Sequence, residues 1–379
     1  MSRRVRLHHG FSLPELMVAM VIGLVLTLTI STMVARQESV RRGVTSGNDL
    51  TSNTAYVSYL LDRELRSAGA GFSQAVASNY GCTLHASRNA TQLLPATAAF
   101  PAPFASIPRD YRLAPVMVFA GAGAGGSDVI AIAAGHSGLS ETALPVSPGT
   151  AAAGQVKLSN TLGMRGGDLV LVSQDALPRC MLQQVSTGFV GGSAEILTFG
   201  GSMAADVIAG LALADFAIGN TNVSVLGNAT GNQPRMQLLG IGANNTLFSY
   251  DLLQLTADAQ ALAEGIVDMR VRYGIDSAPR DGTVDNWVAP TSAGFTAAAL
   301  RDGSAAAQSN LQSILSIRIA LVLRSDLVDK ADVTPPTLTL FSTLPAALQQ
   351  TYTVPTSTKT QRYRTVEFTV PLRNVRYAR

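Results

Sequence analysis

The sequence predicts an α+β protein in which one long N-terminal helix packs on an antiparallel β-sheet and an enlarged β-rich domain follows. Three observations predict this fold. Residues 16–34 form an uncharged apolar run. Apolar residues then recur at helical spacing as far as residue 68. The rest of the chain alternates apolar and polar residues in short segments separated by Gly and Pro. With 379 residues, the chain is long enough for more than one ordinary domain.

Residues 1–10 form a basic leader that contains Arg3, Arg4 and Arg6 and no acid. Without these arginines, the 28 basic residues of the chain fall to the number of its 25 acidic residues. The pI of about 9.0 is therefore largely a property of the leader. It does not indicate a nucleic-acid-binding domain, and we predict no specific nucleic-acid partner.

The apolar run predicts a membrane-spanning helix over about residues 14–34. As a helix, residues 16–34 span about 28 Å, close to the roughly 30 Å of a bilayer core. A secretory signal peptide has a shorter apolar region and ends at small residues, whereas Ala35-Arg36-Gln37-Glu38 follows here. The positive-inside rule places the N-terminus in the cytoplasm and the bulk of the chain outside.

Glu15 is an acid at the start of the apolar run, where an ionised side chain is costly in lipid. Ser12 and Glu15 have the S-x-x-E spacing of a capping box. Pro14 falls in the first helical turn, where its missing N–H is tolerated. Capping by Ser12, Pro14 and Glu15 is therefore sufficient to explain the motif on the residues alone.

The arrangement of an Arg-rich leader, Gly10 and then FSLPEL at 11–16 closely resembles the N-terminal signal of type IV prepilins. The resemblance implies that a membrane-embedded prepilin peptidase cleaves between Gly10 and Phe11 and methylates Phe11. It also implies that the Glu15 carboxylate pairs with the α-ammonium of a neighbouring subunit's Phe11 and sets the register of the subunits. Two unit charges 4 Å apart attract by up to about 4 kcal/mol at an effective dielectric near 20, which can offset burial.

The helix is expected to continue beyond the membrane, so that residues 11–70 form one long helical region. Apolar residues recur on one face, at Leu50, Val57, Leu61, Leu65 and Ala68. Asp62 and Arg66 form an i,i+4 pair on another face. Residues 41–47, which include Gly43 and Gly47, are the weakest stretch and are where we expect a bend or local melting. No proline kink is predicted in the membrane half.

Residues 71–379 are predicted to form the β-rich globular domain. Residues 72–110 are expected to be loop-like because four prolines interrupt them. Ala-rich residues 296–307 indicate a short helix or a loop. Short strands are predicted at 114–120, 127–134, 168–173, 194–199, 222–227 and 236–241. Clean alternation predicts half-buried strands at 267–275 and 315–323, and Pro371 predicts an edge position for a last strand at 366–372.

The length of the chain and four less specific segments indicate which pilins it resembles most: large minor pilins of the PilW type. The segments are LLDRELRSAG at 60–69, GDLVLV at 167–172, GIVDMRVRYG at 265–274 and LRN at 372–374. The resemblance implies a non-enzymatic protein that crosses the inner membrane once and has a periplasmic domain. The protein would be found in the inner membrane or incorporated into the extracellular pilus. Its function would be to initiate or cap a type IV pilus with other minor pilins, the major pilin and a tip adhesin.

Two alternatives remain open at this point. One is a pseudopilin of a type II secretion system, although the very large tip pseudopilins typically lack the Glu. The other is a membrane-anchored adhesin or enzyme whose N-terminus only resembles a prepilin; absence of cleavage would be its signature.

Other motifs do not indicate catalysis, a cofactor or a metal. Gly121-x-Gly123-x-x-Gly126 precedes a strand pattern rather than the helix that a dinucleotide site needs, which favours a hairpin connection. GHSGL at 135–139 lacks the last Gly of a nucleophile elbow. Residues 276–285 lack the alternating ligands of an EF-hand and are interpreted as a turn.

Cys82 and Cys180 are the only cysteines, and the predicted orientation places both outside the cytoplasm. An oxidising compartment favours a disulfide between them, although two buried free thiols remain the alternative. Closing a loop of about 100 residues contributes up to about 4.7 kcal/mol in the chain-entropy model.

Overall fold

The computed structural model of the chain describes residues 12–136, 142–175, 177–192, 194–255 and 258–376. It has the predicted α+β architecture: helix α1 (Leu13–Arg66) is followed by several mostly antiparallel sheets. Helix α1 runs without interruption through residues 41–47, so the expected local melting there is wrong. Inside the helix, the only proline is Pro14 in the first turn, and no proline kink occurs.

A four-stranded antiparallel sheet lies against the second half of α1. Its order is β17-β16-β18-β21, and α1 contacts β18 and β21. The strands are β16 (Ile266–Ile275), β17 (Asn286–Val288), β18 (Ile314–Val328) and β21 (Gln361–Pro371). Strand β21 forms one edge and ends at Pro371, as predicted, because a proline without an N–H is tolerated there.

Both inner strands of this sheet, β16 and β18, are largely buried on both faces rather than half-buried as predicted. Ala320 and Val322, on the face of β18 that carries the polar alternation, are fully buried. They pack in a small cluster with Phe341 and Leu344, which lie in the connection between the paired strands β19 (Thr337–Leu340) and β20 (Gln350–Thr353). The alternation predicted the strands correctly, but the pattern within a strand does not show that a separate hairpin folds back over its polar face.

A five-stranded antiparallel sheet with the order β15-β14-β13-β4-β3 packs beside the first. Strands β3 and β4 form a hairpin joined through the segment from Gly121 to Gly126, which confirms that this glycine motif is a connection. The strands are β3 (Val116–Phe119), β4 (Val129–Ala134), β13 (Arg235–Ile241), β14 (Leu247–Asp251) and β15 (Gln260–Ala263).

A six-stranded sheet with the order β2-β1-β8-β7-β12-β5 forms the third layer, and its β1–β8 pair is parallel. Its strands are β1 (Thr83–Arg88), β2 (Thr91–Leu94), β5 (Leu144–Pro145), β7 (Asp168–Gln174), β8 (Arg179–Gln184) and β12 (Thr221–Asn228). One face of β7, β8 and β12 joins the main core, and the other covers a second core that includes Val170, Met181 and Val223.

Residues 72–110 are not simply loop-like, because they contain α2 (Val76–Asn79), β1 and β2. The four prolines all follow β2, and the inner residues of β1 are buried on both faces. A strand covered on both faces has no period-2 alternation to reveal it.

The remaining elements are short. The Ala-rich segment forms helices α3 (Ala297–Leu300) and α4 (Ala305–Ser313), and α5 (Arg373–Arg376) follows β21. Two further strand pairs are β6 (Gln155–Lys157) with β9 (Ile196–Thr198), and β10 (Val207–Ile208) with β11 (Leu211–Ala212).

Candidate assembly site on the N-terminal helix

The first half of α1, residues 16–34, is exposed on all sides, and we call it the bare half. In its apolar window none of the residues is buried inside the chain, and Leu24 is 70% exposed. Among the described residues, α1 is the one helix long and apolar enough to cross a membrane, by length and composition. Covering a single Leu, Val or Met side chain is worth about 1.5–3 kcal/mol, so this surface requires lipid or other apolar helices around it.

The three threonines within this half bond to their own helix. The Thr27 hydroxyl donates to the Gly23 carbonyl at 2.9 Å, and the Thr32 hydroxyl donates to the Thr29 carbonyl at 2.9 Å. These contacts pair the hydroxyl donors locally, as an apolar environment demands. The segment therefore carries its threonines without needing water.

At the start of α1, Ser12 and Glu15 are joined by two hydrogen bonds. The Ser12 N–H donates to Glu15 Oε2 at 3.0 Å, and the Ser12 hydroxyl donates to the same oxygen at 2.9 Å. Pro14 lies in the first turn. Both bonds fall on one carboxylate oxygen of an exposed side chain, so capping is compatible with a further charged partner for Glu15. Gly10 and Phe11 lie outside the described residues.

The second half of α1 is held to the domain by a face of apolar residues. The predicted positions Leu50, Val57, Leu61, Leu65 and Ala68 are all buried. On the solvent side, Arg66 Nε lies 2.6 Å from Asp62 Oδ2, which confirms the predicted i,i+4 pair. The amphipathic pattern thus separates the packed face of the helix from its exposed face.

Glu64 adds an ionic anchor that the sequence analysis missed. It is 5% exposed, and its carboxylate accepts hydrogen bonds from Arg235 Nη1 at 2.6 and 2.7 Å and from Gln237 Nε2 at 2.9 Å, both on β13. Arg63 donates a further bond. Burial opposes ionisation, but the bonds from Arg235 and Arg63 outweigh it and lower the pKa of Glu64.

The weak stretch around Gly43 is supported from the sheet. Ser46 and Ser325 are hydrogen-bonded through their hydroxyls at 2.8 Å in a buried contact. The Arg362 guanidinium lies against Gly43, so that a Cβ there would be 3.2 Å from Nη2. These contacts with β18 and β21 explain why a segment of poor helix formers stays helical.

The end of α1 is capped by the C-terminal part of the chain. Asn374 Nδ2 donates to the carbonyls of Ser67 at 3.2 Å and Ala68 at 3.0 Å. The Gly69 N–H donates to Ala133 on β4 at 2.9 Å. The LRN segment at 372–374 therefore has a physical role: its amide satisfies carbonyls that every helix end leaves unpaired.

Cys82 and Cys180 form a disulfide whose Cα atoms are 5.7 Å apart. The bond joins the start of β1 to β8, next to their parallel pairing. Both cysteines are buried. The disulfide prediction is confirmed, and the bond ties the chain that leaves α1 to a strand 98 residues further along.

The glycine-rich connection at 121–126 and the acidic turn at 276–285 have structural roles. Asp128, buried after the Gly121–Gly126 connection, accepts from the N–H groups of Gly121 at 3.0 Å and Val271 at 2.9 Å. Burial raises the pKa of this carboxyl and lowers the pKa of His136. Asp276 accepts from the Gly282 N–H at 2.8 Å in a turn between β16 and β17.

Among the described residues, no group of three His, Cys, Asp or Glu side chains is arranged as metal ligands would be. Ser137, the central residue of the GHSGL segment, lies outside the described residues.

Two family models match the chain. The prokaryotic N-terminal methylation motif matches residues 5–31, and the family "Type IV Pilus-assembly protein W" (PilW) matches residues 231–374. The second match covers β13 to Asn374, and so contains Arg235, the sheet on which α1 packs and the residue that caps it. These families are assembly proteins rather than enzymes.

Between them, the two matches leave residues 32–230 uncovered, and these include every strand of the six-stranded sheet. No curated protein and no solved structure matches the chain. The methylation motif implies processing by prepilin peptidase and assembly with other pilins, and together with the apolar helix it indicates an inner-membrane anchor. With this motif at one end and the PilW match over the sheet that holds the helix, the chain is similar to the PilW-type minor pilins of type IV pili.

Proposed function

We propose that the protein helps to initiate or cap a type IV pilus, after cleavage behind Gly10 and methylation of Phe11. The observation that carries this proposal is the bare apolar half of α1 with Glu15 at its start. An apolar helix that its own chain leaves uncovered is suited first to the bilayer and then to the helices of neighbouring subunits.

Glu15 would set the axial register of the subunit. Its carboxylate is exposed and makes both of its Ser12 contacts through Oε2. Beside the apolar side chains of a neighbouring helix, a carboxylate is stable only when it meets a positive charge, and the α-ammonium of a processed Phe11 is such a charge. Register would then follow from the position at which the two charges meet.

The enlarged domain supports a place at the end of the filament. The six-stranded sheet joins the chain at the C-terminal end of α1: Asn79, soon after the helix, accepts from the Ser173 hydroxyl at 2.6 Å and donates to the Phe72 carbonyl at 2.7 Å. Ala70 accepts from the Gly135 N–H at 2.8 Å. Extra mass at this end of the helix would obstruct a further subunit above it. Partners would be other minor pilins, the major pilin and a tip adhesin.

The test compares Glu15→Ala with Glu38→Ala in cells that carry the pilus system. Both residues are exposed acids on α1, but Glu38 is paired with Arg42 at 3.0 Å beyond the apolar segment. We expect both variants to be cleaved normally and only Glu15→Ala to be depleted from sheared pili relative to membranes. Normal incorporation of Glu15→Ala would refute the register role. Normal pilus number and length in a strain lacking the protein would refute initiation and capping.

A further inference from the structure

The end of the globular domain nearest the apolar helix forms a surface that we call the lower rim. It consists of residues 327–334, which follow the centre of β18, and residues 356–361, which lead into β21. The Val333 N–H donates to Lys359 O at 3.0 Å, and the Asp329 N–H donates to Thr360 O at 2.8 Å. The two segments therefore form one continuous surface.

The distance of the lower rim from the apolar segment, measured along α1, follows from the way β18 runs beside the helix. At one end, Leu315 O accepts from the Leu372 N–H at 2.8 Å, close to the cap of α1; at the other, Ser325 meets Ser46. Ser46 lies about 18 Å along the helix from Val34. The strand continues about 10 Å beyond Ser325 towards the apolar half. Val328 therefore lies about 8 Å past the end of the apolar segment, level with the headgroup layer of about 5–8 Å that borders a bilayer core.

The lower rim combines apolar and basic side chains. Leu327, Val328 and Val333 are 39%, 56% and 42% exposed. The chain has three lysines, and two of them, Lys330 and Lys359, belong to this surface. Exposed apolar side chains next to basic ones are the composition of surfaces that lie in the interface of an anionic membrane.

The helix provides basic residues at the same height. Arg36, Arg41 and Arg42 are exposed and, at about 100° per residue, point in three directions around α1. Side chains on a helix tilt towards its N-terminus, which here is the direction of the bilayer. Three guanidinium groups therefore surround the helix where it would leave the membrane.

Acidic residues on the same surface do not cancel this charge. Glu38 is paired with Arg42 at 3.0 Å, and Asp329 is paired with Arg362 at 2.9 Å. Asp326 and Asp332 are exposed. These four acids face six basic residues: Arg36, Arg41, Arg42, Lys330, Lys359 and Arg362. The surface keeps an excess of positive charge, although the chain beyond the leader is balanced.

We propose that the lower rim and the three helix arginines bind the headgroups of anionic phospholipids, so that the domain rests on the outer surface of the membrane before it joins a filament. The proposal rests on the membrane-spanning role of the helix but not on its role in the pilus. Charge complementarity and continuity with the apolar helix identify the occupant as the lipid surface around that same helix.

The test uses the full chain in lipid nanodiscs made either of phosphatidylcholine alone or of phosphatidylcholine with phosphatidylglycerol. Both leaflets have the same composition, so the direction of insertion does not matter. Amide hydrogen exchange is measured in residues 327–334 and 356–361. We expect exchange there to slow by about fivefold for each engaged basic residue in the anionic discs. About 1 M salt, which shortens the Debye length to about 3 Å, should remove the difference.

The variant Lys330→Glu should weaken this slowing by at least about fivefold, because it removes one basic residue of the lower rim and adds an acid. Lys157→Glu is the matched control, since it changes the remaining lysine of the chain, which lies on β6 and pairs with Glu195 at 2.9 Å. Exchange in β16 and β18 verifies that each variant is folded. Equal exchange in the two kinds of disc, or equal loss in both variants, would overturn the proposal. Pilus assembly does not enter this measurement, so its outcome is separate from that of the Glu15 test.

Discussion

The two halves of α1 have the same secondary structure and opposite surroundings. From Leu16 to Val34 the side chains are exposed and none is buried by the rest of the chain. From Ser46 onward, one face of the helix is buried against β18 and β21. The first half is apolar on all sides and the second half on one side only. One continuous helix therefore joins a segment whose apolar surface needs external partners to a segment whose apolar face is already buried in the domain.

This difference separates folding from assembly within a single element. The packed half, with Glu64 and the Asn374 cap, fixes the direction in which the bare half leaves the domain. The bare half contributes no core and is thereby available to lipid or to other subunits. Mutations in the two halves should consequently affect different measurements.

Removing a leucine from each half should give the largest difference between them. Leu61→Ala leaves a cavity in the core and should lower the free energy of unfolding of the domain by about 2–5 kcal/mol. Leu24→Ala, in the bare half, should leave it unchanged. Denaturant unfolding of the full chain in detergent, followed by the fluorescence of Trp287, makes the measurement. A comparable loss from Leu24→Ala would show that the first half is packed on the domain.

Removing the disulfide should come next in effect. The free energy of unfolding of the double variant Cys82→Ser/Cys180→Ser should be lower by about 2–4 kcal/mol, because the unfolded chain regains the conformational freedom of a long loop. The same unfolding assay applies, with chemical reduction of the parent protein as the control. N-terminal cleavage should be unaffected, since the bond lies beyond α1. Impaired cleavage in this variant would contradict the independence of the two halves.

Loss of the ionic anchor at Glu64 should lower the free energy of unfolding by a smaller amount, which depends on pH. Glu64→Gln keeps the shape of the side chain but removes its charge, and we expect a loss of about 1–2 kcal/mol near pH 7, reduced because Arg235 is partly exposed to solvent. The pKa of Glu64 is lowered in the folded protein. Its contribution is therefore complete above the pKa of an unfolded Glu, about 4.3, and disappears as the pH falls through the lower folded value.

Comparing the parent and Glu64→Gln proteins by denaturant unfolding between about pH 7 and pH 3 tests this dependence. The stability difference should shrink towards acid pH. Asp128 and Asp268, whose pKa values are raised by burial, act in the opposite direction in both proteins and cancel in the comparison. A difference that does not change with pH would show that Glu64 acts through its shape alone.

The cap on α1 should have the smallest effect. Asn374→Ala removes the amide that bonds to Ser67 and Ala68, and a loss of about 0.5–1.5 kcal/mol is expected. Hydrogen exchange at the last turn of α1 should increase, while exchange at the bare half stays the same. Unchanged exchange in the last turn would mean that the cap does not hold the helix end.

Most of the helix and many of the strands could be predicted because their signals are local. The prepilin-like segment is contiguous, and strands β16, β18 and β21 alternate in the sequence itself. The roles of Asn374 and Arg235 could not be recognised, because their partners at α1 are more than 150 residues away. Strands β1 and β2 were missed since β1 has no exposed face to mark its period.

If the bare half of α1 belongs to a processed pilin, the chain must be cleaved behind Gly10. The most direct test is the intact mass and N-terminal sequence of the full chain, expressed with and without the prepilin peptidase of its host. We predict a mature chain that begins at N-methylated Phe11 only when the peptidase is present. A chain that still begins at Met1 in its presence would reduce the helix to a plain membrane anchor and contradict the assembly role.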